Sequence, residues 1–270
     1  MLLIKNAYML DPESGYEGDA DILVENGRIK KLYKGIIGLV DESLFEDLEV
    51  IDADGLYVAP GLVDVHVHFR DPGFLYKEDI ETGAKAAAKG GFTTVVLMAN
   101  TKPIVDNEET LAYVLEKGKT TDIHVETCCS VSKEFKGQEL CDYEKLLENG
   151  AVGFTDDGIP LLDEALVTEA MTRLSKLQVP ISLHEEDPNL IANNGINRGA
   201  ASEHFGIGGS PREAEVTMVA RDIEIAKKTG AVVNIQHISC KETAEMIRKA
   251  KQEGFTNIHG EETPHHFHLT

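Results

Sequence analysis

The sequence predicts an α/β protein in two parts: a small all-β domain over residues 1–57, then an incomplete (β/α) barrel over residues 58–270. Three observations predict it. From residue 56 onward short apolar strands alternate with helical patterns, six βα units and the start of a seventh, at repeats of roughly 25–50 residues that imply right-handed parallel crossovers. Polar residues recur at the C-terminal end of strand after strand, where barrel active sites lie, so an eight-fold barrel fits better than a doubly wound sheet. A full barrel needs roughly 250 residues, and only about 215 of the 270 remain, which leaves about six and a half units.

The elements follow in order. Residues 2–9 and 20–33 are strand-like, the latter broken by the hairpin signal Glu25-Asn26-Gly27. Strands over 50–53 and 56–59 follow an acidic loop at 41–47, and nothing in this part carries chemistry. Residues 61–70 read as the first barrel strand, with Val63, Val65, Val67 and Phe69 on one face and Asp64, His66, His68 and Arg70 on the other. The apolar face is suited to packing under helices. Residues 77–91 are helical, with Ile80, Ala84, Ala87 and Ala88 on one face and Gly90-Gly91 as the stop. Strands are predicted at 93–100, 123–131, 151–157, 179–185 and 231–239, and a seventh begins at 256–259. The intervening helices are 107–117, 142–148, 163–177 (Leu166, Ala170, Leu174 and Leu177 in register) and 242–253. A long loop to Gly209 ends in Ser210-Pro211-Arg212-Glu213, a capping box with Pro at N1 that opens a helix to residue 229.

Lys plus Arg number 26 against 47 Asp plus Glu, a formal charge of −21, which argues against nucleic acid or an anionic membrane as partner but permits a small anionic substrate held by local cations. No apolar run approaches a membrane span, and the N-terminal segment lacks a basic region and cleavage site. Cys128, Cys129, Cys141 and Cys240 have neither Cys-x-x-Cys spacing nor disulfide density, so they read as reduced thiols of a cytoplasmic protein.

A bare His-x-His on a strand is equally well a wet polar face. The other strand ends change the balance: Asn100 ends strand two, Asp156-Asp157 strand four, His184 strand five and His237 strand six. Four imidazoles and a carboxylate converging on one barrel mouth form a metal site, with Zn²⁺ the best match and Mn²⁺, Co²⁺ or Fe²⁺ as alternatives. Five ligands exceed one open catalytic zinc, which points to two ions roughly 3.5–4 Å apart with a carboxylate between them. His265 and His266 stay unassigned, and His124, His204, His259 and His268 read as surface or structural residues.

The chain resembles the amidohydrolase superfamily and, within it, the bacterial type I dihydroorotases, in a C-terminally truncated form. The matching pieces are His66-Val67-His68-Phe69-Arg70-Asp71-Pro72-Gly73, Tyr76-Lys77-Glu78-Asp79, Gly90-Gly91-Phe92-Thr93-Thr94 and Asn100-Thr101, then Phe154-Thr155-Asp156-Asp157-Gly158, His184-Glu185-Glu186-Asp187, Gln236-His237-Ile238-Ser239 and Thr263-Pro264-His265-His266. His-x-His marks only the superfamily, whereas His-x-His-x-Arg-Asp-Pro-Gly with Phe-Thr-Asp-Asp-Gly is far more specific. The resemblance implies a TIM-type metal-dependent hydrolase barrel with a small N-terminal β-sandwich domain. It implies that His66 and His68 bind one zinc, that His184 and His237 bind the other, and that Asp157 rather than Asp156 bridges them. Arg70, Asn100 and His68 would hold the substrate. The implied reaction is the reversible interconversion of N-carbamoyl-L-aspartate and dihydroorotate in pyrimidine synthesis. The implied assembly is a homo-oligomer, with another enzyme of that pathway as a further partner.

Two departures stand out within these residues. Met98-Ala99-Asn100 replaces the usual Met-Pro-Asn, and Gly260-Glu261-Glu262 is more acidic than usual, which leaves the packing of that strand open. The family's general base, an aspartate at the end of strand eight, falls beyond Thr270. These 270 residues alone are therefore expected to lack turnover, and their open barrel edge to make them unstable, oligomeric or prone to aggregate. Competing readings are a hydantoinase or allantoinase, disfavoured by the absence of a bridging lysine in residues 151–158 and by Arg70, and a non-catalytic barrel that binds metal or a partner.

Overall fold

The computed structural model describes residues 1–35, 37, 38 and 40–269. The chain forms two compact units, Met1–Leu62 and Val63–Thr270. The first unit is one sheet: β1 (Leu2–Asp11), β2 (Tyr16–Glu25), β3 (Arg28–Lys34), β4 (Glu49–Asp52) and β5 (Tyr57–Val58). β1 pairs antiparallel with β2 and parallel with β4 and β5. The expected hairpin closes through Asn26 and Gly27, both at positive φ (52° and 72°), as a tight turn matched to strand twist requires. Asp21, fully buried, accepts from Asn6 N and Gly38 N, each at 2.8 Å. Among the described residues this sheet is one layer, where the sequence predicts a sandwich.

The second unit alternates strand and helix. Its strands are β6 (Leu62–Val67), β7 (Phe92–Leu97), β8 (His124–Cys129), β9 (Gly153–Thr155), β10 (Ile181–Leu183), β11 (Val233–Ile235) and β12 (Ile258–Gly260). Its helices are α1 (Ile80–Lys89), α2 (Glu108–Gly118), α3 (Tyr143–Glu148), α4 (Glu164–Leu177), α5 (Ala200–Phe205), α6 (Glu213–Thr229), α7 (Lys241–Gln252) and α8 (Pro264–His268). The strands lie side by side in chain order, with the registers along β7 to β12 parallel. Flat, seven strands at about 4.8 Å spacing would hold their outer members about 29 Å apart. Yet His66, in β6, touches Glu261, the residue after β12. The sheet is therefore curled into most of a barrel, and its strand ends point into one mouth.

Local chemistry explains the helix starts. Asp79, Asn107, Asp142 and Asp163 each accept from a first-turn N–H of α1 to α4, at 2.8, 3.0, 3.2 and 2.8 Å. The apolar core between helices and sheet includes Val95, Leu111, Phe154, Met171, Leu174, Ile181, Val219 and Ile235. The rings of Tyr143 and Phe154 sit 4.5 Å apart at its centre.

Four local expectations are corrected. Val63 and Val65 are 58% and 53% exposed rather than packed under helices, because β6 ends the sheet and the helical layer covers it only from Val67 and Phe69 onward. On α4 the buried stripe is Val167, Ala170, Met171 and Leu174, rotated from the expected register, with Leu166 and Leu177 at its margin; on α1, Ala88 faces outward. Ser210 forms no cap: it bridges to Asn197, and α6 opens at Glu213 without a side-chain cap. The loop before it contains α5, a short helix without a capping residue to announce it.

Gly83 carries the contact between the first strand end and its helix. A Cβ there would lie 2.5 Å from the buried Phe69 ring. Alanine gains about 1 kcal/mol in helix propensity, but overpacking costs about 1–3 kcal/mol. Gly83→Ala is therefore expected to lower the urea midpoint of unfolding; a raised midpoint would show that Phe69 yields freely.

Candidate metal centre

Each polar strand end delivers one part of the site. His66 is the inward residue next to the end of β6, and His68 follows one pleat later, so both rings face the mouth with their Nε2 atoms 3.2 Å apart. His184 follows β10 and His237 lies two residues past β11, with His184 Nδ1 3.0 Å from His237 Nε2. Between the pairs sits Asp157, two residues past β9. Its Oδ1 lies 3.6 Å from His66 Nε2, 3.5 Å from His184 Nδ1 and 3.4 Å from His237 Nε2, and its Oδ2 lies 3.4 Å from His68 Nε2. The geometry thus brings together His66, His68 and Asp157 as one donor group and Asp157, His184 and His237 as another.

These separations test the fit of a metal. Ligands 2.0–2.1 Å from a tetrahedral zinc stand about 3.3 Å from one another. All six donor–donor distances fall between 3.0 and 3.6 Å. The donor set, neutral imidazole plus carboxylate, is also the right chemistry for zinc and its neighbours in the series. The residues fit two ions sharing Asp157.

Electrostatics agree. Burial works against the charge of Asp157, but His184, His237 and His66 hold its carboxyl well below the usual carboxylate range. Burial also disfavours charge on His66, yet the Asp157 and Glu261 carboxylates outweigh it and push the imidazole up to about 9 in the metal-free protein. Burial keeps His68 below the ordinary imidazole range, helped by Arg70 and His66. Asp156 points elsewhere. It accepts from Val131 N at 2.7 Å, from Ser132 N at 3.2 Å and from Ser132 Oγ, and burial pushes its carboxyl up to about 6 against those bonds. It ties the β8 loop to the β9 loop and leaves the centre to Asp157.

Asn100 lies just past β7. Its Oδ1 is 3.0 Å from His68 Nδ1 and its Nδ2 donates to Asp157 Oδ2 at 3.1 Å. It orients two metal donors and still has one N–H and one lone pair to offer. Arg70 stands close enough to His68 to affect it, at φ 59°. His237 is at φ 35°. Backbone held in that left-handed region costs about 1–3 kcal/mol per residue, and here it turns both side chains at a strand end.

Three contributors escaped the sequence reading. Glu261 accepts from His66 Nδ1 and, through Oε2, from Asn234 Nδ2 at 2.9 Å. The acidic step after β12, read there as a packing problem, is a built contact. Glu215 of α6 accepts from Ser239 N and Cys240 N, both at 3.1 Å, and anchors the turn after His237 at the start of α7. Asp71, fully buried, accepts from Tyr113 Oη at 2.9 Å and from Lys117 Nζ, fixing the turn that carries Arg70. Glu261 was visible only as a charged residue beside a strand end, Glu215 only as an acidic residue in the first turn of a helix, and Asp71 only as part of the Arg70-Asp71-Pro72-Gly73 motif. His124, His204, His259 and His268 are all exposed.

Known proteins share this fold. A D-hydantoinase from Thermus sp. superposes with TM-score 0.75 over 100% of this chain and 59% of its own, at 27% identity. An L-hydantoinase from Arthrobacter aurescens superposes with TM-score 0.79 over 97% of this chain and 58% of its own, and at 23% identity shows the fold alone. Dihydroorotases of Clostridioides difficile (strain 630) and Clostridium acetobutylicum are 53% and 48% identical over all 270 residues, and the chain spans 62% of the length of each. The Dihydro-orotase-like family model matches residues 55–243, which contain the five candidate donors together with Arg70 and Asn100. With more than half of its length matched, the chain belongs to the Dihydro-orotase-like family.

Proposed function

We propose that this chain carries the metal centre and carboxylate clamp of a zinc-dependent dihydroorotase that interconverts N-carbamoyl-L-aspartate and dihydroorotate in the cytoplasm. The observation that carries the proposal is the pair of histidine couples sharing one buried carboxylate at a barrel mouth, with Arg70 two residues past His68 in the chain. The 46–53% identity to dihydroorotases favours that substrate over hydantoins. Two zinc ions, when bound, supply Lewis acidity toward an amide carbonyl and a nucleophilic water at neutral pH.

The chain's own residues do the rest. His66 and His68 would hold one ion, His184 and His237 the other, and Asp157, whose carboxyl the neighbouring imidazoles hold well below the usual carboxylate range, would be shared between them. Asn100 keeps the His68 ring oriented through Nδ1, leaving Nε2 free to ligate. Arg70 takes the substrate carboxylate with its planar fork, and the free N–H of Asn100 adds a second donor. With the carboxylate pinned, the ring amide would be held in one orientation at the barrel mouth, which favours a near-attack geometry.

Zinc content measured by mass spectrometry is expected to fall in the His66→Ala, His68→Ala double variant, and unchanged content would sink the ligand assignment. In the full natural polypeptide, Arg70→Lys should lower kcat/KM for dihydroorotate by about 10–150-fold, the equivalent of one lost charge-assisted bond of about 1.5–3 kcal/mol. Opening of hydantoin, which has no carboxylate, serves as the control. Faster opening of hydantoin than of dihydroorotate would favour the hydantoinase reading, and wild-type kinetics in Arg70→Lys would make Arg70 a bystander.

A further inference from the structure

Glu261 occupies an unusual place in the barrel. Its backbone is bound to the neighbouring strand on both sides, its N–H to Ile235 O at 3.0 Å and its carbonyl to Ile238 N at 2.9 Å, so the side chain is directed inward. One carboxylate oxygen, Oε1, takes His66 Nδ1 and lies 3.4 Å from His237 N. The other, Oε2, takes Asn234 Nδ2 at 2.9 Å. A single carboxylate therefore touches the ring of His66 in the edge strand β6 and the backbone N–H of His237 after β11, one residue of each histidine couple.

The chemistry at His66 makes this contact decisive. Its Nε2 faces His68 and Asp157, so Nε2 must be free of hydrogen to ligate, and the one ring hydrogen of a neutral imidazole must then sit on Nδ1. A carboxylate at Nδ1 accepts only, and enforces that tautomer. Gln236 does the opposite: its Nε2 amide lies 3.4 Å from the same Nδ1 and, as a donor, would draw the hydrogen to Nε2. The two neighbours compete for the tautomer.

We propose that Glu261 is the positioning residue of the metal centre: it holds His66 in the ligating tautomer against Gln236 and fixes His66 relative to His237. This rests on the metal-centre reading above. Partners of this kind typically contribute about 10–100-fold in metal affinity.

The test measures zinc affinity by chelator competition in the full natural polypeptide, alongside the thermal midpoint of the metal-free protein. Glu261→Ala is expected to weaken zinc binding by about 10–100-fold. Glu261→Gln, whose amide oxygen can still accept from His66 and His237, should recover most of the loss. Adding Gln236→Leu to Glu261→Ala should also recover part of it, because the competing donor is gone; a merely structural glutamate would show no such rescue. Should Glu261→Ala fail to fold, Glu261→Asp, which keeps the charge but shortens the reach, is expected to weaken binding in the same direction. Wild-type affinity in Glu261→Ala or Glu261→Asp, or a double variant no better than the single, overturns the proposal while leaving the metal centre standing. Failure of the wild-type protein to bind zinc overturns both.

Discussion

One buried negative charge organises this structure. Asp157 is 4% exposed and ringed by four imidazoles. An isolated carboxylate in such a place would take up a proton rather than bear the desolvation. Three of those imidazoles keep it ionised instead, which gives the site a permanent anion at its centre. Everything around it serves to hold nitrogen atoms toward that anion at the spacing of metal ligands. Removing the carboxylate would leave the imidazoles crowding one another at 3.0 and 3.2 Å with nothing to balance them.

The barrel makes that convergence inexpensive. A parallel sheet with its helices outside puts every strand's C-terminal end in one plane, and curling the sheet aims those ends at a common point. Residues far apart in the chain, such as His66 and Glu261, then meet without any long loop having to be ordered. The loops that follow the strands are held by carboxylates in turn: buried Asp71 under the Arg70 turn, buried Asp156 between the β8 and β9 loops, and half-buried Glu215 under the turn after His237. Asp71 and Glu215 tie those turns to α2 and α6.

The donors were legible because each is a histidine or aspartate in or just past a short apolar strand, so that several strand ends carry the same chemistry, and the family resemblance chose Asp157 over Asp156. The barrel was legible for the same reason, as strands over 93–100 and 179–185 stand out as apolar runs between helical patterns. Two kinds of feature were not. The phase of α4 could not be read, because Leu166 and Val167 are adjacent and equally apolar, and only packing against the sheet chooses Val167 and Met171 for the core. Glu261 could not be read because a carboxylate beside a strand end is solvated in most sequences. Its meaning depends on the curl that brings β6 opposite β12, and periodicity says nothing about curl. Ser210 illustrates the converse: its local pattern satisfies a capping box, but pairing with Asn197 claims it first.

The overall charge of −21 also needs reconciling with an anionic substrate. Exposed charges farther away than about 8–10 Å are largely screened at physiological salt, so the sum over the surface matters less than the few groups at the mouth. There the chain supplies three carboxylates next to the histidines, Asp157, Glu186 and Glu261. Two divalent ions on the proposed donors would add four positive charges, one more than those three carboxylates carry. The mouth is then positive in a negative protein. A substrate carrying carboxylates, as proposed above, would be steered by that local field.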